Sequence, residues 1–317
     1  MPACDRNARL FRDLPPRYRG AKDPLTKQRP PRKQAPRSPS RADLLVLGLF
    51  FLSGASALIY EVVWSRLLTF VFGGTAFAIA TVLAAYMAGL AIGSSVFGRR
   101  IDRGGHPIVV YAILEGGIAV WAILLPAVLA LLNGFYGVLY RSLAPGPYVL
   151  ALIRFVLSFV VLLVPTILMG GTLPVLSKLL VGGRKSLGLK TGLLYGMNTV
   201  GAVVGTAAAG FLLIPRLGMS ASTWVAIIFN LLVAAIAFIL KGALPIQPAP
   251  EMEPVATAVG EKPPDPALKR AVLFVYASGG FAALAYEVAW TKVLSGVLGT
   301  TTYAFSAMLT PFLLGLA

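Results

Sequence analysis

The sequence predicts an all-α integral membrane protein with about eight transmembrane helices. Hydrophobic residues make up 57% of its 317 residues and only 13% are charged, whereas soluble domains are about 25% charged. Mean hydropathy is +0.80. Several apolar runs reach the roughly 20 residues that a spanning helix needs. Positively charged loops alternate with loops that carry almost no charge, as expected for a chain that crosses a membrane repeatedly.

The chain divides into a tail, six apolar segments, a linker and two further segments. Residues 1–43 are polar and rich in Pro and Arg, without the apolar core of a signal peptide, and predict a disordered basic tail. Residues 241–270 form a Pro-rich linker that should be flexible or extended. The predicted spanning segments have boundaries near 44–71, 75–97, 107–132, 148–169, 189–214, 220–240, 271–294 and 300–317.

Loop charges predict the orientation. The tail and the loops after the second and fourth segments carry most of the Lys and Arg residues, and the loops between them carry one or none. The positive-inside rule then places the N-terminus in the cytoplasm. The net charge of +16 is explained by orientation, so nucleic acid is not expected as a partner and the lipid bilayer is.

Several kinds of site are disfavoured by composition. Cys4 is the only cysteine and His106 the only histidine. An internal disulfide is therefore excluded, and a His-rich metal site or a Cys/His nucleophile pair is not expected. We predict no metal, no cofactor and no catalytic residue in this chain.

An internal repeat organises the chain. Residues 54–91 match residues 280–317 after a shift of 226 positions. The first and seventh segments therefore correspond, and both should run from inside to outside. Parallel repeats offset by six helices build transporters of the major facilitator type. We expect one six-helix half (44–240) and the first two helices of a second half (271–317), with the chain ending inside an apolar helix as a truncated product or fragment would.

The repeat carries an acidic residue in each copy. The phrase Tyr-Glu-Val-x-Trp occurs twice, and it supplies the predicted substrate-binding residues Tyr60, Glu61, Trp64, Tyr286, Glu287 and Trp290. A carboxylate beside aromatic faces suits an organic cation, because the π face and the anion both attract ammonium groups. The alternative is structural, since Trp and Tyr also gather at membrane interfaces.

Two more charges lie within apolar segments. Arg154 should lie at a depth similar to Glu61, which predicts an intramembrane Glu61–Arg154 pair. Glu115 precedes two glycines that would let another helix approach closely. It could act in a proton relay or hydrogen-bond to that neighbouring helix.

Two small-residue motifs complete the prediction. The loop GRRIDRGGH contains Gly98, Asp102, Arg103 and Gly105. Its glycines suit a tight turn, and its Asp-Arg pair could bind a helix terminus or each other, or simply be solvated. The segment MNTVGAVVGTAAAG predicts close helix packing at a Gly-x-x-x-Gly face, through the residues Asn198, Gly201 and Gly205.

Together these phrases resemble the membrane portion of the fused MFS/spermidine synthase proteins of bacteria. The resembling stretches include FLSGASALIYEVVWSRLL, PTILMGGTLPVLSKLL and GGFAALAYEVAWTKVL, and the stretches as a whole cover most of residues 51–317. The GRRIDRGGH loop also resembles the signature between helices two and three of major facilitator transporters. There, Arg100 replaces a common apolar residue.

The resemblance implies a bacterial inner-membrane protein that binds or transports a small cation, such as a polyamine. Full-length members carry a cytoplasmic spermidine-synthase-like domain that transfers an aminopropyl group, and this chain has no glycine-rich loop or acidic cluster of that kind. The alternative function is a membrane anchor or scaffold that presents such an enzyme domain and transports nothing.

Overall fold

The fold is built from helices throughout the described part of the chain. The computed structural model describes residues 41–72, 75–143, 146–180, 184–242, 265–299 and 301–317. Nearly all of the predicted tail and most of the predicted linker lie outside these residues, as does Gly73 of the repeat.

Eight α-helices follow one another along the described part of the chain. Their bounds are α1 Arg41–Phe72, α2 Thr75–Asp102, α3 Pro107–Leu143, α4 Pro147–Leu180, α5 Arg184–Ala208, α6 Ile214–Ile239, α7 Pro266–Leu298 and α8 Thr301–Leu316. A π-helical turn, Ala209–Leu213, joins α5 to α6 without a break, and a 3₁₀ turn, Leu240–Gly242, ends α6.

The predicted count of eight spanning helices is not supported by helix length and composition. Six helical stretches of the described chain are long and apolar enough to cross a membrane. Two predicted segments lie in one of them, the 55-residue stretch Gly188–Gly242, which is kinked at Gly218. Helix α8 has 16 residues, about 24 Å at 1.5 Å per residue, which is short of a bilayer core of about 30 Å.

Contacts between helices define their directions. Helix α1 runs parallel to α5, because Gly201 and Gly205 meet the carbonyls of Phe51 and Ala55 in the same order. It also runs parallel to α3, since the Tyr111 hydroxyl bonds to the carbonyl of Leu49 and Ser53 bonds to Glu115 four residues further along both helices.

Helix α6 runs the opposite way. Its later residues, Val233 and Ala237, share a hydrophobic cluster with Ile108 at the start of α3. Its earlier residue Ile227 shares a second cluster with Ile118. Because α3 is parallel to α1 and α5, the chain reverses direction inside the range of α6, at the kink where Gly218 adopts φ 81°.

Helix α1 is the centre of the bundle. It packs against α2, α4, α5, α6 and α8, and its Tyr60 and Trp64 are fully buried. Its contact with α5 depends on glycines, which have no side chain to separate the two helices. A Cβ on Gly201 or Gly205 would collide with the carbonyl oxygen of Phe51 or Ala55, and a Cβ on Gly54 would collide with Asn198. The two backbones are therefore in direct contact, as in small-residue interfaces of membrane helices.

We predict that Gly201→Ala lowers the thermal unfolding midpoint of the purified protein in detergent. The new methyl group must push α5 away from the Phe51 carbonyl, and overpacking of this kind costs about 1–3 kcal/mol. Gly192→Ala is the matched control, because Gly192 lies on the same helix with open space where its Cβ would be. An equal midpoint for the two variants would contradict the close backbone contact.

Candidate functional site

A cavity lies inside the bundle, where the central helix faces α7 and α8. Its volume is about 250 Å³. The walls come from α1 to α8, and they combine apolar side chains with hydroxyl, amide and carboxyl groups. The polar residues of the wall are Ser53, Ser56, Glu61, Tyr86, Thr172, Tyr195, Asn198, Thr199, Asn230 and Glu287.

Both acids of the internal repeat line this cavity. Glu61 and Glu287 are each 5% exposed, and both side chains belong to the lining of the same cavity. Oε1 of Glu287 is buried without a hydrogen-bond partner in the described structure. The described wall contains no lysine, arginine or histidine. Two carboxylates therefore meet in a space that offers them no cationic side chain.

The burial of Glu287 is specific to one strip of α7. Glu287 and Thr291, one helical turn apart, are the buried residues of that helix. The Thr291 hydroxyl donates to the Glu287 carbonyl at 2.8 Å, so it adds no donor to the carboxylate. The contacts of α7 with α2 and α8 turn this strip, and with it the carboxylate, toward the cavity.

The predicted aromatic walls are placed differently. Tyr60 and Trp64 stack on each other with ring centroids 5.1 Å apart and planes at 17°, but they do not line the cavity. On α1 they project into the hydrophobic core, where the ring centroids of Trp64 and Tyr86 are 6.1 Å apart. Their role as direct cation-binding walls is therefore corrected to one of supporting Tyr86, which does line the cavity.

The second aromatic pair is on the outside. Tyr286 and Trp290 are 66% and 56% exposed, because they project from the flank of α7 beside its packed strip. The prediction that they form a wall of the site is wrong for this structure. The aromatic residues that line the cavity are Tyr86, Tyr195 and Phe312.

Glu115 forms a hydrogen-bonded group with its neighbours rather than an ion pair. It is fully buried. Its Oε1 accepts a hydrogen bond from Ser53 of α1 at 2.5 Å, and its Oε2 accepts one from Asn230 of α6 at 2.5 Å. Of the two roles that the sequence left open, the helix-to-helix hydrogen bond is thus present in the structure. Three helices are tied together at this point.

Arg154 does not pair with Glu61. Its guanidinium lies over the ring of Tyr136, 4.3 Å from the centroid. It lines a groove with Phe77, Tyr140 and Phe155, at the far end of α3 and on the surface of the bundle. The depth argument for the pair counted residues along each helix, whereas the pairing depends on which side of α4 Arg154 occupies.

The polar loop between α2 and α3 lies at an end of the bundle, away from the cavity. Asp102 accepts a hydrogen bond from Lys178 of α4 at 2.9 Å, and the pair is partly exposed. Gly104 and Gly105 adopt φ 125° and 122°, values that L residues rarely reach. Arg103 is exposed, and Gly98 lies beside Pro174. The loop therefore joins the ends of α2 and α4 and contributes nothing to the cavity.

These features define the class of the protein. Six apolar stretches of spanning length make it a multi-pass helical membrane protein, and a polar cavity between membrane helices is where such proteins place ligand sites. No protein-family model, curated protein sequence or solved structure matches the chain.

Sequence reasoning missed seven polar residues of the site: Ser53, Ser56, Tyr86, Thr172, Tyr195, Thr199 and Asn230. Asn230 stood out in principle, as an amide within the apolar run AIIFNLLVAA. The two serines of FLSGASAL carried little signal, since isolated hydroxyls are common in membrane helices and bond to their own backbone, as Ser56 does to the carbonyl of Ser53.

We predict that Glu61→Gln and Arg154→Gln have additive effects on the free energy of unfolding, within about 0.5 kcal/mol, because the two side chains do not interact. Equilibrium unfolding of the wild type, both single variants and the double variant in mixed micelles measures this. A double-mutant cycle of Asp102→Asn and Lys178→Gln serves as the positive control, because these side chains form an ion pair. We expect their coupling energy to be about 0.2–1 kcal/mol, as for other exposed pairs. A Glu61–Arg154 coupling above about 1 kcal/mol would restore the original pair.

Proposed function

We propose that this protein binds a small organic cation in the cavity between its membrane helices, and that an aliphatic polyamine is the best candidate. The observation that supports this most directly is the pair of buried carboxylates, Glu61 and Glu287, in a cavity without a cationic side chain. An acid at the centre of a membrane helix costs about 2.5–3.5 kcal/mol on insertion scales. A bound cation would offset that cost for both acids at once.

The size of the cavity favours an organic ligand over a bare metal ion. Its volume of about 250 Å³ corresponds to about eight water molecules at 30 Å³ each. A single ion would leave most of that space to water. Among the described residues, no group of three His, Cys, Asp or Glu side chains could hold a metal.

The chemistry of the walls also fits an aliphatic amine. Leu58, Leu83, Met87 and Leu90 supply an apolar surface for methylene groups, and hydroxyl and carboxyl oxygens supply acceptors for ammonium N–H groups. The ring of Tyr86 adds a π face next to Glu61. A ligand with two ammonium groups can contact both carboxylates, which a compact monovalent ion cannot do equally well.

The wider identity is also a proposal. We infer a bacterial inner-membrane protein with a cytoplasmic N-terminus, similar in motifs to the membrane portion of fused MFS/spermidine synthase proteins. The reversal of direction at Gly218 supports two crossings within Gly188–Gly242. An arrangement of the major facilitator type, with a spermidine-synthase-like domain as a partner, would then account for both the repeat and the exposed face of α7.

We predict that the purified protein binds labelled spermidine, and that Glu61→Gln and Glu287→Gln each weaken the binding at least tenfold. Loss of one charge from a desolvated ion pair typically costs 2–5 kcal/mol, and tenfold corresponds to about 1.4 kcal/mol. Scintillation-proximity or equilibrium-dialysis measurements give the dissociation constants. Asp265→Asn is the matched control, because it removes the same charge from the exposed N-cap of α7 and Asn retains capping.

Uptake of spermidine into proteoliposomes separates binding from transport. Binding without uptake would leave a receptor-like or regulatory site, and the absence of both would favour the scaffold, in which the helices only hold an enzyme domain at the membrane. Equal binding by the wild type and by Glu61→Gln would reject the two-carboxylate site.

A further inference from the structure

Glu115 is a second buried acid that the proposed cation site does not use. Its side chain has no exposed surface, and it lies on α3, behind the cavity wall. Its hydrogen-bonding neighbours are neutral: the hydroxyl of Ser53 donates to one carboxyl oxygen, the amide of Asn230 donates to the other, and the Tyr111 hydroxyl lies within hydrogen-bonding reach. Hydrogen bonds from neutral groups stabilise a carboxylate less than a cation does.

The charged groups around Glu115 do not neutralise it. Among the described residues, the titratable groups found beside it are two tyrosines, Tyr60 of α1 and Tyr111 of its own helix. Helix α4 carries Arg154 and Lys178 near its two ends, away from Gly117, which contacts Leu168 in the middle of α4. The only charged residue of α6 is Arg216, in its first turn. As a carboxylate, Glu115 would thus be a buried charge without a counter-ion, whereas as a neutral acid it would not.

The two donors of Glu115 connect it to the cavity. Ser53 and Asn230 both line the cavity wall, so one layer of side chains separates Glu115 from the proposed ligand. Asn230 also has a buried Oδ1 atom without a hydrogen-bond partner in the described structure. Asn230 therefore holds a free acceptor at the cavity while its Nδ2 donates to the carboxylate.

We propose that Glu115 is a proton-binding site whose occupancy is coupled, through Asn230, to cation binding in the cavity. When Glu115 is protonated, its O–H needs an acceptor, and a half-turn of the Asn230 amide supplies Oδ1 for that purpose. When Glu115 loses the proton, Nδ2 donates to it and Oδ1 is left as an acceptor for a ligand ammonium group. Cation binding then breaks the Glu115 O–H bond and releases the proton to water in the cavity, so one positive charge leaves as another enters.

The coupling rests on the proposed cation site, and it predicts exchange of a cation for a proton. A ligand that favours the ionised form of Glu115 must, by linkage, bind more tightly as pH rises, up to about tenfold per pH unit for one coupled proton. Glu61 and Glu287 can release protons as well. The contribution of Glu115 to proton release is therefore measured by comparing the wild type with Glu115→Gln, because both proteins retain Glu61 and Glu287.

The test is calorimetry of spermidine binding to the full chain in two buffers of different ionisation enthalpy. We expect Glu115→Gln to bind spermidine and to release about one proton fewer per ligand than the wild type, with a flatter pH dependence of affinity. Equal proton release by both proteins, with binding intact, would overturn the coupling while leaving the cation site in place. Absence of binding by the wild type would overturn the cation site and the coupling together.

An infrared measurement tests the proton site without any ligand. We expect a carboxylic-acid C=O band that disappears in Glu115→Gln and titrates with pH in the wild type. If Glu115→Gln does not fold, Asn230→Leu keeps the acid and the side-chain size but removes its amide partner, so the band must shift to higher frequency. Because Glu61 and Glu287 can also give an acid band, the comparison with the variant decides: if no acid band of the wild type is lost in Glu115→Gln at any pH between about 5 and 8, the proton site is overturned.

Discussion

The cost of burying a carboxylate in a low-dielectric interior constrains this structure more than any other term. Glu61, Glu115 and Glu287 are all buried in helices that are otherwise apolar. Each ionised side chain in such surroundings needs a counter-ion, several donors or a proton. Both carboxyl oxygens of Glu115 accept hydrogen bonds from neutral donors, whereas one oxygen of Glu287 has no partner in the described structure, so the acids differ in how far the protein itself satisfies them.

In the proposed function, that difference gives the acids separate roles. Glu61 and Glu287 face a shared cavity, where an external cation can reach both carboxylates. Glu115 lies behind the wall and bonds to the wall residues Ser53 and Asn230, and we propose that it binds a proton instead. Helix α1 carries Ser53, which bonds to Glu115, and Glu61, which lines the cavity. The two residues are about two turns apart, so α1 connects the proposed proton site to the proposed cation site.

The packing of α1 makes this arrangement rigid. Its backbone touches that of α5 at Gly201 and Gly205, and stacked Tyr60 and Trp64 fill the core on its other side. Helix α1 is held by direct backbone contact on one face and by the aromatic stack on another. This packing keeps Glu61, which α1 carries, at the cavity. The aromatic residues of the repeated phrase thus support the site on α1, although they do not contact its ligand.

Much of this was readable in the sequence. Hydropathy alone determined the helical membrane class, because no water is present in a bilayer to satisfy an open backbone. The repeat picked out Glu61 and Glu287, since an acid in an apolar helix is costly wherever it lies. The tertiary structure decided what each acid faces: the burial of Tyr60, the exposure of Tyr286, the turn of Arg154 toward Tyr136 and the amide of Asn230 beside Glu115. Depth follows from counting residues along a helix, but the direction of a side chain around the helix axis depends on which neighbours pack against it.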